Sequence, residues 1–323
     1  MEHIPVLLEE SVEGLKIKEG AVVVDATLGT GGHSLKILEK VGKQGILIVF
    51  DWDQKAINDF KKRFKKTGDQ VEKITDRIDK LRNIYLVRDN FIQLAEVLKI
   101  IGIERVDGIL ADLGWRIEQV LDKSYGMSFS AEGRLDMRLD RDSNKLSAYE
   151  MVNNWNSKDL EEVFSVCGEE REARRIALEI EKRRREKPIE TPKELAMIVE
   201  EILGRNFKKG KIHPATKVFQ ALRIVANGEL SNLEKLLVVG LKSLKSGGRL
   251  AVITFHSLED RIVKRFFRTN AGGCVCPKDL PVCVCGKNAR LKIVTKKPIV
   301  AGQLELGKNP RSRSAKLRIA EKI

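Results

Sequence analysis

The chain of 323 residues has no apolar run that approaches the roughly 20 residues needed to span a bilayer. Its opening, MEHIPVLLEESVEG, mixes acidic with apolar side chains and does not resemble a signal peptide. Internal repeats and low-complexity linkers are also missing from the sequence. These absences argue against a membrane-spanning protein, a secreted protein and a repeat array, so we expect a cytoplasmic location.

Acidic side chains are in short supply. Asp and Glu number 46 against 60 Lys and Arg, which gives a formal net charge of +14. Such a charge favours a polyanionic partner, with solubility alone as the alternative explanation. No amphipathic stretch of low charge supports a membrane surface as partner, so we expect none. The hydrophobic content of 42% supports a substantial core, and the length suits one large α/β domain with an appendage or two ordinary domains.

Cysteines are few, and four of the five lie close together in the segment CVCPKDLPVCVC, as Cys274, Cys276, Cys283 and Cys285. Four thiols could hold zinc, but zinc ribbons use C-x-x-C pairs and the tighter C-x-C spacing is weaker evidence. Disulfides are not expected in a reducing cytoplasm. Structural zinc and free thiols therefore both stay open, and we assign no metal site. Cys167 lies in a helical pattern and is expected to serve packing.

A glycine-rich turn follows the first apolar strand, in VVVDATLGTGGHS at 22–34. The strand ends in Asp25, and Gly29, Gly31 and Gly32 lack the β-carbons that would keep a ligand away from the backbone. The helix that the turn opens offers unpaired N–H groups to a polar or anionic group. We therefore interpret the turn as a ligand site.

A second apolar strand, ILIVF at 46–50, ends in Asp51. An acidic side chain about 20 residues past the glycines is suitably placed to accept hydrogen bonds from ribose hydroxyls, so the pair of strands predicts a nucleoside-cofactor site. The glycine spacing departs from the G-x-G-x-x-G of NAD-binding proteins. An aspartate that ends strand one before a G-x-G turn instead resembles the S-adenosylmethionine site of class I methyltransferases.

The pattern of elements predicts a parallel sheet with an insertion. Helical patterns begin near His33, Gln54 and Phe91, between strands that we place near 21–25, 46–50, 84–88 and 106–111. The next clear strand, 249–255, follows more than a hundred residues later, which is more chain than one crossover needs. The helical pattern at 216–244 can be the crossover, so residues 115–214 form a mainly helical insertion. The sheet domain is then 1–114 with 215–323.

Two further strand ends bring polar side chains to the same edge of the sheet. Strand four ends in DGILADLG with Asp112, and strand five is followed by FHSLEDR with His256. Ligands bind at this edge in open α/β folds. Ser257 and Asp260 have the spacing of a helix capping box, which explains them structurally. His256 has no such explanation, so it stays a candidate for contact with the substrate beside the alternative of a hydrogen-bonded structural histidine.

The C-terminal stretch from Lys287 to Lys322 is strongly basic and contains an alternating segment, SAKLRIA, that predicts a strand. Arg311 and Arg313 alternate with serines, as residues of phosphate-binding loops often do, although a solvated tail is the alternative. The basic residues that we consider for contact with a nucleic acid are Arg290, Lys292, Lys296, Lys297, Lys308, Arg311, Arg313, Lys316 and Arg318.

Seven ordered blocks carry a resemblance to a known family. They are the opening at 2–8, DATLGTGGHS, DGILADLG, GRLDMRLD at 133–140, HPATKVFQALRIVANGEL at 213–230, GGRLAVITFHSLEDRIVKRFF at 247–267 and NPRSRSAKLR at 309–318. Over essentially the whole chain these blocks resemble the ribosomal RNA small-subunit methyltransferase H family. That family methylates the exocyclic N4 of a cytidine in the decoding region of bacterial 16S rRNA.

The resemblance implies a class I, Rossmann-like methyltransferase sheet with an inserted, mainly helical domain that recognises the substrate. It implies S-adenosyl-L-methionine as cofactor and 16S rRNA in the small ribosomal subunit as partner, with the oligomeric state open between monomer and homodimer. Asp112 and His256 become candidates for catalysis, and His213, Arg223, Arg311 and Arg313 for substrate binding. The cofactor-binding candidates are Asp25, Gly29, Gly31, Gly32, His33, Asp51, Phe91, Asp112 and Gln119.

One block departs from the family. Where the family reads DLGVSSPQL, this chain has DLGWRIEQV, so Arg116, Ile117 and Glu118 replace two serines and a proline. An rRNA-binding or assembly protein with weakened turnover is therefore an alternative function, and a DNA amino-methyltransferase is another.

Overall fold

The computed structural model describes residues 4–65, 70–115, 122–141, 144–204, 213–272 and 288–323. The chain forms two compact units. Unit 1 joins Met1–Gly114 to Leu230–Ile323, and unit 2 is Trp115–Glu229. Among the described residues, no helix is long and apolar enough to cross a membrane.

Unit 1 is built on one sheet, whose strands among the described residues have the order β3-β4-β5-β2-β1-β6-β7-β9-β8. The strands are β1 (Val22–Asp25), β2 (Ile46–Phe50), β3 (Val71–Lys73), β4 (Ile78–Leu81), β5 (Ile84–Val87), β6 (Val106–Asp112), β7 (Leu244–Thr254), β8 (Leu291–Ile293) and β9 (Lys316–Lys322). The five strands from β5 to β7 in that order run parallel, as predicted. The strands outside them pair antiparallel, and the sequence did not predict β3, β4 and β8.

Both faces of the sheet are buried. Along β2, Leu47 and Val49 belong to one apolar cluster, whereas Ile48 and Phe50 belong to another. Successive side chains of a strand point to opposite faces, so a continuous apolar run such as ILIVF requires cover on both sides. The helices of unit 1 are α1 (Leu8–Gly14), α2 (Gly32–Val41), α3 (Gln54–Lys65), α4 (Leu94–Ile100), α10 (Glu229–Ser243, whose first residue belongs to unit 2), α11 (Ser257–Ala271) and α12 (Gln303–Lys308).

Unit 2 is helical around its own apolar cluster. Its helices are α5 (Ala148–Asn154), α6 (Ser157–Val166), α7 (Ala173–Glu186), α8 (Pro192–Leu203) and α9 (Thr216–Asn227). The predicted start of α8 is confirmed, because Thr191 and Glu194 form a capping box with Pro192 at the first turn. Cys167 ends α6 and packs against the cluster, as predicted.

The single helical pattern predicted over 216–244 is wrong at one point. Gly228 adopts φ 59° and ends α9, and α10 begins at the next residue. A left-handed residue at a helix end is a common stop that glycine tolerates without strain. Because α9 packs against α6 and α5, unit 2 extends to Glu229, past the boundary at residue 214 expected from the sequence.

Candidate active site

The predicted strand ends meet at one edge of the unit 1 sheet. β1 lies between β2 and β6, and Asp25 is aligned with Val49 on one side and Leu110 on the other. β6 in turn is aligned with β7, Asp112 opposite Ile253. The chain leaves β1 first toward β2 and later returns on the β6 side, and such a reversal of strand order leaves a crevice where α/β proteins bind ligands.

The three glycines of the turn have different surroundings. Gly29 has φ +53°, and a β-carbon built there meets no atom of the described residues within 4 Å. A β-carbon on Gly31, at φ +83°, would lie 2.5 Å from the ring of Phe60, and one on Gly32 would overlap Pro5. The expectation that all three clear space for a ligand is therefore corrected. Gly29 faces open space, while Gly31 and Gly32 make room for protein side chains.

Asp51 ties this turn to the second strand. Its Oδ2 accepts a hydrogen bond from the Gly29 amide at 3.1 Å, and its Oδ1 accepts from the Asp53 amide at 2.8 Å. A carboxylate has about four lone-pair positions, so each oxygen can still accept from a ligand hydroxyl. Asp51 is only partly buried. The Gly29 and Asp53 amides therefore hold the Asp51 carboxylate in place beside the turn where a ligand would bind.

Asp25 differs from the prediction, because its carboxyl group is completely buried. Ser34 Oγ donates to Oδ2 at 2.6 Å and the Thr27 amide donates to Oδ1 at 3.1 Å. Burial raises the pKa of Asp25 to about 6, against the lowering effect of His33 and the two hydrogen bonds. Asp25 thus stabilises the turn through hydrogen bonds to Thr27 and Ser34. It exposes no atom to a cofactor, which corrects its assignment as a cofactor contact.

Replacement of Asp25 by Asn should stabilise the protein at neutral pH. Between pH 3.8, the ordinary pKa, and about 6, Asp25 is protonated in the folded state and mostly ionised in the unfolded state. Its contribution to the free energy of unfolding is therefore complete in acid and is lost as the pH rises through 6. Above that pH the buried carboxylate costs roughly 3 kcal/mol. The free energy of unfolding of the Asn variant relative to the wild type, measured with urea, should therefore rise by about that amount between pH 4 and pH 7.5. An equal difference at both pH values would contradict this explanation.

Asp112 is held at the end of β6 and remains accessible. Its amide donates to Thr27 Oγ1 at 2.8 Å, and its Oδ1 accepts from the Gly114 amide at 3.2 Å. The side chain keeps 17% of its surface exposed, with Oδ2 3.7 Å from His33 Nδ1. Asp112 therefore presents a positioned carboxylate at the crevice.

The ring of His33 is buried behind Asp112. Its Nε2 lies 3.1 Å from the Val6 carbonyl oxygen. A carbonyl can only accept, so Nε2 carries a proton, and Nδ1 is turned toward Asp112. The ring of His33, predicted to contact the cofactor, contacts the protein on both sides in this structure.

His256 corrects the capping prediction. The N-cap of α11 is His256, whose Nδ1 accepts from the Glu259 amide at 3.4 Å, while Glu259 Oε2 accepts from the His256 amide at 3.3 Å. The box therefore uses His256 and Glu259, one residue before the expected Ser257 and Asp260. Nε2 of His256 is buried 3.1 Å from Glu259 Oε1 and forms no hydrogen bond within the described residues.

Asp260 has a different partner from the one that capping would give it. Its two oxygens accept from Arg318 at 2.6 and 3.1 Å, a bidentate pair in which Arg318 is buried. Arg318 is thus committed to the protein interior and is not available to a nucleic acid, which corrects its place among the basic candidates. Lys316 also approaches Asp260, at 3.6 Å.

Phe91 begins a short 3-10 turn, Phe91–Gln93, where the Asn90 side chain accepts from the Ile92 amide. The ring is half-buried against one of the two apolar clusters of unit 1. Gln119, the departure at 116–118 and the cluster of four cysteines lie outside the described residues.

The two substrate-binding candidates of unit 2 have partners within it. His213 stacks on Phe129 with ring centres 4.3 Å apart, and its Nε2 lies 2.8 Å from Glu200 Oε1. Arg223 donates to both carboxylate oxygens of Glu229, at 2.9 and 3.0 Å, and lies 4.7 Å above the ring of Trp115. Both side chains therefore have structural roles.

Arg311 and Arg313 in unit 1 are exposed on a short 3-10 turn, Pro310–Ser314, and neither forms an ion pair within the described part of the chain. Ser312 between them is buried, and its Oγ donates to the Asn309 carbonyl at 2.8 Å. With Ser312 buried between them, both arginines lie on the solvent side of the turn.

Sequence reasoning missed Ser34, Glu259 and Asn309, whose side chains fix this geometry. The signal for Glu259 was present, since His256 and Glu259 have the spacing of a capping box. Ser34 and Asn309 gave no signal, because a bond from Ser34 to Asp25 nine positions earlier, or from Asn309 to the backbone of Ile4, follows no regular local spacing.

A model of the MraW methylase family matches residues 1–323. The ribosomal RNA small subunit methyltransferase H of Caldicellulosiruptor saccharolyticus is 48% identical over 322 residues, which cover 100% of this chain and 99% of that protein. The protein of the same name from Caldicellulosiruptor bescii is 47% identical with the same coverage. The one from Halothermothrix orenii is 44% identical over 323 residues, 100% of this chain and 99% of its own length.

Proposed function

Since this chain belongs to the MraW methylase family, we propose that it transfers a methyl group from S-adenosylmethionine to the exocyclic N4 of a cytidine in small-subunit rRNA. The observation that carries the proposal is the meeting of Gly29, Asp51 and Asp112 at one sheet edge. The full-length similarity to the curated relatives supports the choice of substrate.

The residues at this edge fit the cofactor. When bound, S-adenosylmethionine supplies a methyl group activated by a sulfonium. Gly29 leaves the space that a side chain would fill, and Asp51 is placed to hold ribose hydroxyls. Phe91 offers an apolar surface for the adenine, as the family resemblance implies.

Replacement of Asp51 by Ala should weaken cofactor binding about tenfold to a hundredfold, the usual value of hydrogen bonds to a charged group. The variant also loses the acceptor that holds the Gly29 amide. Titration calorimetry with S-adenosylhomocysteine gives the Kd directly. Asp59→Ala, at a partly exposed position on α3 where the carboxylate pairs with Lys62, is the matched control and should bind like the wild type. Wild-type affinity in the Asp51 variant would contradict the proposed ribose site.

Asp112 is proposed to act on the target amine. The N4 lone pair of cytosine is delocalised into the ring, which makes the nitrogen a poor nucleophile, so positioning is the main source of rate. The partly exposed carboxylate can accept an N–H bond from the amine and favour the positive charge that develops on nitrogen. His256, with its side chain engaged by Glu259, is proposed to shape the wall of this space. Proton loss can follow methyl transfer, so the site needs no strong base.

The substrate side is proposed from charge and from the helical unit. The target base must leave its stack to reach the crevice, which costs a few kcal/mol, and basic contacts with the RNA backbone offset this cost. We propose Arg311 and Arg313 for these contacts and unit 2 for further recognition of the RNA. The finer proposal is a cytidine in the decoding region of 16S rRNA within the small subunit, acted on in the cytoplasm.

The deciding experiment uses purified protein, S-adenosylmethionine and small-subunit particles from cells that lack this gene. Nucleoside mass spectrometry should find N4-methylcytidine only after incubation with the protein. Methylated DNA in a parallel reaction would favour the DNA enzyme instead. Binding of both cofactor and particles without methylated product would favour the assembly protein.

A further inference from the structure

Residues 4–7, called here the strap, pack directly on the cofactor turn. Pro5 fills the place that a β-carbon on Gly32 would occupy, and the Val6 carbonyl accepts from His33 Nε2 at 3.1 Å. Through His33 the strap lies one side chain away from Asp112, whose Oδ2 is 3.7 Å from His33 Nδ1. The strap therefore supports the ring that faces Oδ2 of the proposed amine acceptor.

The strap is held in place by the C-terminal segment of unit 1. Glu305 Oε1 accepts from the Leu7 amide at 2.9 Å, across 298 positions in sequence, and Asn309 Nδ2 donates to the Ile4 carbonyl at 3.0 Å. Leu7 has φ 50° and precedes α1 without a side-chain cap of its own. A left-handed leucine costs roughly 1–2 kcal/mol, so its surroundings must impose this conformation.

The same segment carries the proposed RNA contacts on its other side. Asn309 is buried toward the strap, and the turn that its carbonyl organises presents Arg311 and Arg313 to solvent. One short stretch of chain thus faces the strap on its inner side and the RNA on its outer side.

We propose that Glu305 and Asn309 are positioning residues for methyl transfer, which act by clamping the strap against His33 and thereby orienting the Asp112 carboxylate. This inference rests on the proposed function for its effect on rate, but the clamp itself is a property of the protein alone. Gly29 and Asp51 do not contact the strap among the described hydrogen bonds, so loss of the clamp should affect the reaction step more than cofactor binding.

The test compares Glu305→Ala with Glu305→Gln in the full chain. Glutamine keeps an oxygen that accepts from the Leu7 amide, whereas alanine removes it. Misplacement of a reacting group by a fraction of an ångström is costly, so kcat for methylation of undermethylated small-subunit particles should fall about tenfold or more in the Ala variant. KM and the Kd for S-adenosylhomocysteine should change less than threefold, and the Gln variant should recover most of kcat.

A second measurement does not depend on activity. The chain has only four histidines, so their ring-proton NMR signals should overlap little. The signals of His33 can be assigned with a His33→Gln variant. Glu305→Ala should move the His33 signals and leave those of His213 and His256 in place, and Glu305→Gln should resemble the wild type. Glu104→Ala is the control, because Glu104 is exposed and lies just before the start of β6, at the end of the strand opposite to Asp112.

Unmoved His33 signals, or a Gln variant as impaired as the Ala variant, would overturn the proposal. If the wild type itself methylates no RNA, the proposed function fails, and the NMR comparison still decides whether the clamp exists.

Discussion

Asp112→Ala is expected to lower methyl transfer by a hundredfold or more. Loss of one preorganised polar group at a reacting centre typically has an effect of this size. Asp112 is the accessible carboxylate at the end of β6. Its backbone amide donates to Thr27, its Oδ1 accepts from the Gly114 amide, and its Oδ2 faces His33. Single-turnover rates with saturating cofactor and undermethylated particles measure the effect on the reaction.

Asp112→Asn is the matched variant. It keeps an oxygen that can accept from the Gly114 amide and the target amine, but it removes the negative charge. Its rate should lie between those of Ala and the wild type if charge stabilisation contributes. The folded state should survive both substitutions, because the side chain lies at the strand end and contributes little apolar burial. A full rate with Ala would exclude Asp112 from the reaction.

Reversal of both exposed arginines, Arg311→Glu with Arg313→Glu, should weaken binding to small-subunit rRNA about a hundredfold at 0.1 M salt. Each phosphate contact releases counterions worth roughly tenfold in affinity at that salt concentration. Both side chains project from a fixed turn and have no acidic partner within the described residues. A plot of log Kd against log salt should lose about one unit of slope for each contact.

The control for this experiment is Lys18→Glu with Lys43→Glu. These exposed lysines precede β1 and β2, at the opposite edge of the sheet, and the substitution changes the net charge equally. The Kd for S-adenosylhomocysteine should stay unchanged in both double variants. Equal loss of RNA affinity in the two would mean that total charge, and not this turn, attracts the RNA.

The parallel strands could be predicted because each is an apolar run with a polar residue at its end. ILIVF is buried on both faces, and such a run leaves little freedom in assignment. The hairpin of β3 and β4 escaped prediction, since all three residues of β3 are exposed and show no apolar alternation. The break at Gly228 was missed because the apolar pattern continues across it.

The site was predicted in its acidic residues but not in how each is used. Asp25 and Asp51 look alike in sequence, as acids at the ends of neighbouring strands. Their difference arises from depth, because Ser34 and the surrounding chain bury Asp25 whereas Asp51 stays partly open. Burial of a side chain depends on contacts between distant segments, and no local pattern records it. The same holds for Gly32, whose missing β-carbon is explained by Pro5.

The contacts of Arg223 with Trp115 and Glu229 have a consequence for the order of folding. These two partners are the first and last residues of unit 2, which is inserted between the adjacent strands β6 and β7. Without structure in between, joining the ends of so long a loop would cost about 4 kcal/mol of chain entropy. If the helical unit folds first, Arg223 holds the two ends of the insertion together. The entropy cost of pairing β7 with β6 is then that of a short connection. The insertion would then assist the assembly of the sheet that it interrupts.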